Sequence, residues 1–510
     1  VGLLIILIAC FNFININLAN AFTRAKEIGV RKCLGAAKGK LFAQLWSESF
    51  VVCVISFLLS LLLVNILIYV INNLFKVNMP LQDLMWQPRF LMCGVGMLLL
   101  VSLIAGGYPS WVMMKFKVVE TLKGKVSLKR KSALRNSLIV LQFVIASIMI
   151  SCTWIVYQQF NYLQTADLGI NKDYVISVPL LNPEKTGRDK IAKLRQRLAS
   201  NPNIISISGS NINVGKGRDN SASKNSIGFE YKGKSIGTNI ASVDYDYLKT
   251  FGLKPLEGRD FESHYNADTL YNVLLSASAA KQFDEKNITG QQLLVDSAGP
   301  KWNVVGVFPD FHLYSLHESI EPLTLILDKK AGLNYCFIKT NGANPVATMD
   351  AIKKEMALLE PRQEFSGSFV DENINNWYMQ EKVMSVLFSI AASVAIVLSC
   401  LGLLAMVLLV IQQRVKEIGV RKVLGASVRN IALLVSKEFL LLVGIAVIIA
   451  TPLSWMAMNG WLRSFPYRIA IQLWMFLLVA VVALLIAFVT ISYNAVKAAR
   501  TNPVKSLRTE

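Results

Sequence analysis

Seven stretches of this chain contain no Asp, Glu, Lys, Arg or His: residues 1–23, 49–75, 90–114, 136–166, 383–413, 439–462 and 469–496. Each exceeds the roughly 18–20 apolar residues that cross a bilayer as a helix. The chain is therefore predicted to be an α-helical transmembrane protein with seven spans. A mean hydropathy of +0.45 and a charged content of 17% agree with this, and they exclude a disordered chain, a disulfide scaffold and a simple water-soluble enzyme.

The net charge of +20 has a topological rather than a nucleic-acid explanation. Segments 24–48, 115–135, 414–438 and 497–510 hold 24 basic residues against six acidic ones, whereas 160–382 holds 25 against 26. The positive-inside rule places the four basic segments in the cytoplasm and the large neutral block outside, and seven alternating crossings satisfy both. Lys129, Arg130 and Lys131 read as a basic flank of this kind, so no nucleic-acid partner is expected. Five cysteines lie inside spans, Cys33 lies in a cytoplasmic segment and Cys336 stands alone outside. The outer block must therefore hold together by its core, which some 220 residues can do. The chain begins with Val1 and enters directly at a span, without the basic flank of a signal peptide,. It reads as truncated, with a span and an external domain expected upstream by the logic of the repeat described next.

RAKEIGVRKCLGA at 24–36 matches RVKEIGVRKVLGA at 414–426 at eleven of thirteen positions. The match continues to Glu48 and Glu438, and ends with Tyr108–Leu122 against Tyr493–Leu507. Such self-similarity marks a duplicated structural unit. Here the unit is a span, a basic segment, a span, a short external loop, a span and a basic tail. The expected organisation is a first repeat at 1–122, a basic linker at 123–135, a span at 136–158, an external domain at 159–382 and a second repeat at 383–510.

The external block is predicted to be α+β. Strands are expected at 174–178, 204–208, 273–275, 302–307, 323–327 and 335–338, and helices at 190–198 and 347–359,. From Asp371 no Gly or Pro interrupts the pattern up to Gln413, so one long helix is expected to enter the membrane from the domain.

In the repeated segment Arg24, Glu27 and Arg31 fall on one helical stripe, and Glu27 precedes Arg31 in the favourable i,i+4 order,. Gly35 sits where a helix C-cap expects glycine. Arg414, Glu417, Arg421 and Gly425 repeat the pattern. One reading is an interfacial helix resting on lipid headgroups. The other is a docking helix for a cytoplasmic partner, favoured because topology needs positive charge but not the ordered string KEIGVRK-x-LGA. Glu48 and Glu438, at matched span entrances, read equally as helix-start charge or as a contact to that helix.

EIGVRKxLGA, the following Glu and the PVxxLR-like tail resemble the FtsX-like permease domain of MacB-type ABC transporters. DYDYLKTFGLKPLEGRDF at 244–261 and VVGVFPDFHLYSLHE at 304–318 resemble the MacB-like periplasmic core domain. The resemblance implies a non-enzymatic permease in a bacterial inner membrane, with its large domain in the periplasm. It also implies a separate cytoplasmic ATP-binding subunit that supplies ATP and magnesium, so this chain would need no cofactor of its own. That subunit would dock on coupling helices built from Arg24, Lys26, Glu27, Gly29, Arg31, Lys32 and Gly35, and from Arg414, Lys416, Glu417, Gly419, Arg421, Lys422 and Gly425, with Glu48 and Glu438 in transmission. Motion would pass to the periplasmic domain, a scheme called mechanotransmission, and a periplasmic or outer-membrane protein is a further expected partner. The competing reading is a membrane-anchored structural or regulatory protein that recruits a periplasmic partner without ATP-driven transport.

Other chemistries fit poorly. GSNINVGKG at 209–217 is one residue too long for a Walker A loop and has Gly217 in place of Ser or Thr,. His312 and His317 are five apart near Pro309, a spacing that suits a packed hairpin around Phe311, Leu313 and Leu316 better than a metal site,. No ionisable residue lies in the middle of any span, which disfavours a secondary transporter. Asn12, Asn15, Asn17 and Asn20 in the first span are expected to face other helices.

Overall fold

The computed structural model describes residues 2–75, 87–115, 132–219, 223–269, 271–295, 301–414, 417, 420–421, 424 and 427–499. The first repeat begins with α1 (Gly2–Thr23), the short α2 (Ala25–Cys33) and the 38-residue α3 (Lys38–Phe75). Then come α4 (Pro88–Ser102), a π-helical turn (Leu103–Gly107) and α5 (Tyr108–Met114). The next helix is α6 (Ser132–Thr165).

Among the described residues the α+β domain carries eleven strands: β1 (Val175–Pro179), β2 (Ile204–Ser210), β3 (Ser226–Tyr231), β4 (Lys234–Ser242), β5 (Glu257–Gly258), β6 (Asn272–Ser276), β7 (Gln292–Leu294), β8 (Lys301–Phe308), β9 (Leu323–Ile326), β10 (Tyr335–Thr340) and β11 (Ser368–Phe369). Its helices are α7 (Pro183–Arg197), α8 (Tyr247–Thr250), α9 (Ala277–Gln282), α10 (Pro345–Leu359) and α11 (Val370–Trp377). A four-stranded antiparallel sheet, in the order β11-β1-β10-β2, packs with α7 and α10 around Ile176, Ile191, Leu194, Ile338 and Ile352. The other seven strands run β5-β8-β6-β9-β4-β3-β7, and β7 pairs again with β8, closing the ring. Phe229, Val273, Leu275, Leu293 and Val304 form a core for these strands. A third core, with Tyr247, Phe251 and Phe337 in tilted and edge-on contact at 5.0 and 5.2 Å, joins both sheets and α11.

The six expected strands form, each within about two residues of its expected bounds, and α7 and α10 start seven and two residues earlier than expected. The β3–β4 hairpin was not expected. Its two-residue turn, Lys232–Gly233, holds φ of 49° and 76°, the left-handed pair that a twisted hairpin requires and that Asn-Gly usually supplies.

The chain continues through α12 (Met379–Gln413), α13 (Val428–Leu462, with Pro452 inside it) and α14 (Leu473–Ala499). The unbroken helix expected from Asp371 to Gln413 needs correction, because α11 ends at Trp377 and Tyr378 caps it in a non-helical conformation before α12 begins. Tyr378 is fully buried, and its hydroxyl accepts a hydrogen bond from the Leu316 N–H at 2.9 Å. That burial fixes the break.

Two compact units result: residues 1–157, 383–460 and 470–510 form one, and 158–382 with 461–469 form the other. Among the described residues six helices are long and apolar enough to cross a membrane: Lys38–Val70, Pro88–Met114, Asn136–Thr165, Glu381–Ile411, Ala432–Leu462 and Leu473–Tyr493. The seventh expected span is the 22-residue α1, whose described apolar part is Gly2–Asn17. In this helical unit α6, α12, α13 and α14 share a core of Phe143, Leu403, Phe439, Val443 and Ala487. α1 packs on α6 and α12 through Ile8, Ile145 and Ala395. Asn12 and Asn15 are buried, as expected for residues facing other helices, and Asn15 donates to Gln142 Oε1 at 3.3 Å. Asn17 donates to the Ala105 carbonyl at 3.5 Å; the Asn20 side chain lies outside the described residues.

Candidate functional site

The coupling segment of the first repeat is the nine-residue α2, held at its end by backbone chemistry. Gly35 takes φ +87°, Gly35 N–H donates to Lys32 O at 3.2 Å and Ala36 N–H to Arg31 O at 3.0 Å. This pair of bonds is the Schellman arrangement, which a left-handed glycine permits. Within the helix Arg31 Nη2 lies 2.7 Å from Glu27 Oε1, and Arg421 lies 2.8 Å from Glu417 in the second repeat.

The segment is clipped to its neighbours. Arg24 Nη1 meets Glu48 Oε2 at 2.6 Å, and Arg414 Nη2 meets Glu438 Oε2 at 3.0 Å, so both copies tie the start of the coupling segment to the head of the following span. Of the two readings of Glu48 and Glu438, the geometry has the contact in both copies. Each pair is about half exposed, so it contributes at most about 1 kcal/mol, and its effect is to set an angle. Two further clips escaped the sequence reading: Arg31 Nη1 to Gln44 Oε1 at 3.1 Å, and Lys32 Nζ to the Met114 carbonyl at the C-terminus of α5 at 3.0 Å. The second is the favourable end of a helix for a cation. The signal for Gln44 was faint, since the matching position in the second repeat is Leu434.

Gly29 is buried on α2. The Lys26 side chain, and Lys416, Gly419, Lys422 and Gly425, lie outside the described residues. What each coupling segment presents outward is an apolar pair one helical turn apart. Val30 and Leu34 are 43% and 81% exposed, and Val420 and Leu424 are 49% and 80% exposed. Beside each pair stands the exposed Glu–Arg couple. The same apolar pair with an adjacent ion pair thus recurs in both copies.

A second constellation lies within the α+β unit, around the hairpin 461–469 that follows α13. Gln159, on α6 and 1% exposed, grips this hairpin with both ends of its amide. Its Nε2 donates to the Tyr467 carbonyl at 2.8 Å and its Oε1 accepts from the Ile469 N–H at 2.9 Å. Phe465 is buried in the shared core, with Trp461 4.7 Å and His317 4.9 Å away by ring centroids. The His312 ring is edge-on to Tyr467 at 4.9 Å, and burial lowers its pKa. His317 Nε2 lies 2.9 Å from Glu381 Oε1 in the first turn of α12. Phe311, Leu313 and Leu316 are buried in the core, as the packed-hairpin reading expects. Among the described residues no cluster of three metal-ligating side chains occurs. Sequence reasoning missed Gln159 and Phe465, because a neutral amide in an apolar run and a lone aromatic in a loop carry no pattern.

Two family models divide the chain between them. The FtsX-like permease C-terminal model matches residues 1–118 and 389–503, and the MacB-like periplasmic core domain model matches residues 145–357. The chain belongs to the FtsX-like, MacB-like permease family. It is similar to the macrolide export ATP-binding/permease protein MacB of Bdellovibrio bacteriovorus, at 24% identity over 301 residues, covering 55% of this chain and 45% of that protein. It is also similar to the MacB of Sodalis glossinidius, at 26% over 210 residues, covering 38% and 32% respectively. This permease thus spans less than half the length of these curated relatives. The solved periplasmic region of MacB from Actinobacillus actinomycetemcomitans aligns with 43% of the permease and 97% of its own chain, at 15% identity and a TM-score of 0.31.

Proposed function

We propose that this chain is the permease subunit of a MacB-type ABC transporter in a bacterial inner membrane, with its α+β domain in the periplasm. ATP and magnesium are then handled by a separate cytoplasmic ATP-binding subunit. Closure of that subunit moves the two coupling segments, and the motion reaches the periplasmic domain to drive export, extraction or signalling. The observation that carries the reading is the duplicated surface: Val30 with Leu34 and Val420 with Leu424, each beside a Glu–Arg couple and each clipped to the next span by an Arg–Glu pair. A helix resting on lipid needs apolar area and positive charge but no such matched clip.

The test is co-purification from the native cell. An ATP-binding subunit is expected to accompany the wild-type chain, and the double variant Arg31→Glu with Arg421→Glu is expected to retain at least tenfold less of it while still inserting in the membrane. Leu34→Asp with Leu424→Asp is expected to act likewise. Equal retention by both double variants would falsify docking through these segments. Absence of any ATPase from the wild-type preparation would favour a regulatory anchor instead.

A further inference from the structure

The periplasmic-type domain has an open cavity of about 440 Å³ between the first half of α7 and the end of β9, within the 300–1,000 Å³ range typical of small-molecule sites. Its floor is built by one carboxylate and two guanidiniums. Asp244, 8% exposed, receives Arg195 Nη2 at 3.0 Å and Arg188 Nη1 at 3.5 Å. Arg195 Nη2 also donates to the Ile207 carbonyl at 2.9 Å, and Arg188 Nη2 to the Asp328 carbonyl. Both arginines are thereby held in place. Backbone packing fixes the wall: a Cβ on Gly187 would stand 2.4 Å from the Leu333 carbonyl oxygen, and one on Gly332 2.7 Å from Glu184 Cα. Only glycine at both positions lets α7 and the 331–333 loop approach so closely.

Some donors among the lining residues are left over. Arg195 keeps Nε and Nη1 without a partner among the described residues and is 41% exposed at its side chain. Arg188 Nε is likewise unpaired. Lys329 is exposed, and no ion pair is formed by it among the described residues. Two guanidiniums share the Asp244 carboxylate, and the Asp328 carboxylate also acts on Arg188. Burial lowers the pKa of Arg188, the cost that a further anion would relieve. The rim has the opposite sign: Glu184 and Asp189, both exposed, lie on α7. Pro183, Ala192, Leu327 and Ala331 supply apolar wall between floor and rim.

We infer that this cavity binds a small zwitterion, an amino acid or short peptide. Its free carboxylate sits on Arg195 and Lys329 above Asp244, and its ammonium lies near Glu184 and Asp189. With both Nη2 hydrogens engaged by Asp244 and the Ile207 carbonyl, Arg195 offers the ligand a single charge-assisted hydrogen bond from Nε or Nη1,. A multiply charged anion such as a phosphate ester would meet the acidic rim and is disfavoured. The inference goes beyond coupling to an ATPase and is independent of it, because binding needs no nucleotide.

The experiment uses the full chain in detergent without ATP and a synthetic tripeptide library offered in two forms, with a free C-terminal carboxylate and with a C-terminal amide. Retained peptides are read by mass spectrometry, and the most enriched one is titrated by calorimetry. The expected result is saturable binding of free-acid peptides, at least tenfold weaker for the matching amide and at least tenfold weaker for Arg195→Gln. Lys329→Ala, an exposed site that leaves the fold untouched, is expected to weaken binding severalfold and guards against a folding artefact in Arg195→Gln. Failure of the wild-type chain to retain any free-acid peptide overturns the inference. So does retention that is indifferent to amidation and to both substitutions.

Discussion

The two repeats carry nearly the same coupling string but bury their spans very differently. The most apolar 18-residue stretch of Lys38–Val70 is 6% buried, against 35% for Ala432–Leu462. Packing between spans therefore does not explain why the string is shared. The ion pairs Arg24–Glu48 and Arg414–Glu438 persist in both environments, so their geometry is set locally, at the start of the span. What the repeats have in common is the surface they present; within the described residues their spans differ in burial.

One pair of positions shows that divergence. With Glu48 aligned to Glu438 and Tyr108 to Tyr493, Ser49 and Gly106 of the first repeat correspond to Phe439 and Ile491 of the second. A Cβ on Gly106 would lie 2.5 Å from Ser49 Cβ. Phe439 and Ile491, 2% and 0% exposed, are both large and sit in the shared core of α6, α12, α13 and α14. The first repeat has two small residues in close approach here, and the second has two large buried ones in its shared core. Small residues at helix crossings are a general membrane device.

The largest expected effect lies in the 461–469 segment of the second repeat. The second repeat's hairpin is anchored by Phe465, so Phe465→Ala should remove about 3–5 kcal/mol, as large aromatic truncations in cores do. Differential scanning of the purified chain should show the α+β transition shifted down. A transition that stays put would mean that the hairpin is not part of that unit. Next comes Gly106→Ile, which imports the second repeat's residue into the first. Overpacking of about 1–3 kcal/mol is expected, read as a lower midpoint of thermal unfolding in detergent, and pairing it with Ser49→Phe should not rescue it, because two large side chains would then meet where Gly106 and Ser49 approach closely. Rescue would show the two helix pairs to be interchangeable.

Acid offers a gentler probe of the hairpin. His312 has its pKa lowered in the fold, so its neutral form contributes stability that is complete above the unfolded value of about 6.5 and is lost as pH falls below it. The α+β unit should lose stability between pH 7 and 5, and His312→Gln should flatten that slope when followed by intrinsic tryptophan fluorescence. An unchanged slope would assign the acid response to other groups. The smallest effect belongs to Arg24→Gln and Arg414→Gln. Each should cost under about 1 kcal/mol, and the two should cost the same; unequal losses would show that burial does reach the coupling segments.

The span boundaries were legible because charge cannot be hidden in hydrocarbon, and Gly35 was legible because one backbone conformation demands it. The coupling string stood out only because it occurs twice. Less visible were features created by contact. Lys232 adopts a conformation that its side chain does not advertise, and Tyr378 ends a helix that propensity alone would continue, because its ring and hydroxyl are claimed by the 311–316 segment. Gln159 read as an ordinary polar residue in an apolar run. Arg188 and Arg195 stand two turns apart on α7, but the Asp244 they share comes from the segment after β4, so their spacing alone did not show the cluster.

The small–small pair in one repeat and the large–large pair in the other also bear on how such a chain can change over time. The stretches 24–36 and 414–426 are identical at eleven of thirteen positions, so swapping one for the other should change little in packing. A tract that ran one residue past Glu48 would place Phe439's side chain opposite Gly106, or Ser49's opposite Ile491, and leave a clash in one copy or a void in the other. The helix pairs thus limit how far the two halves can be made alike: the repeated strings can be swapped, and the residues just past them cannot.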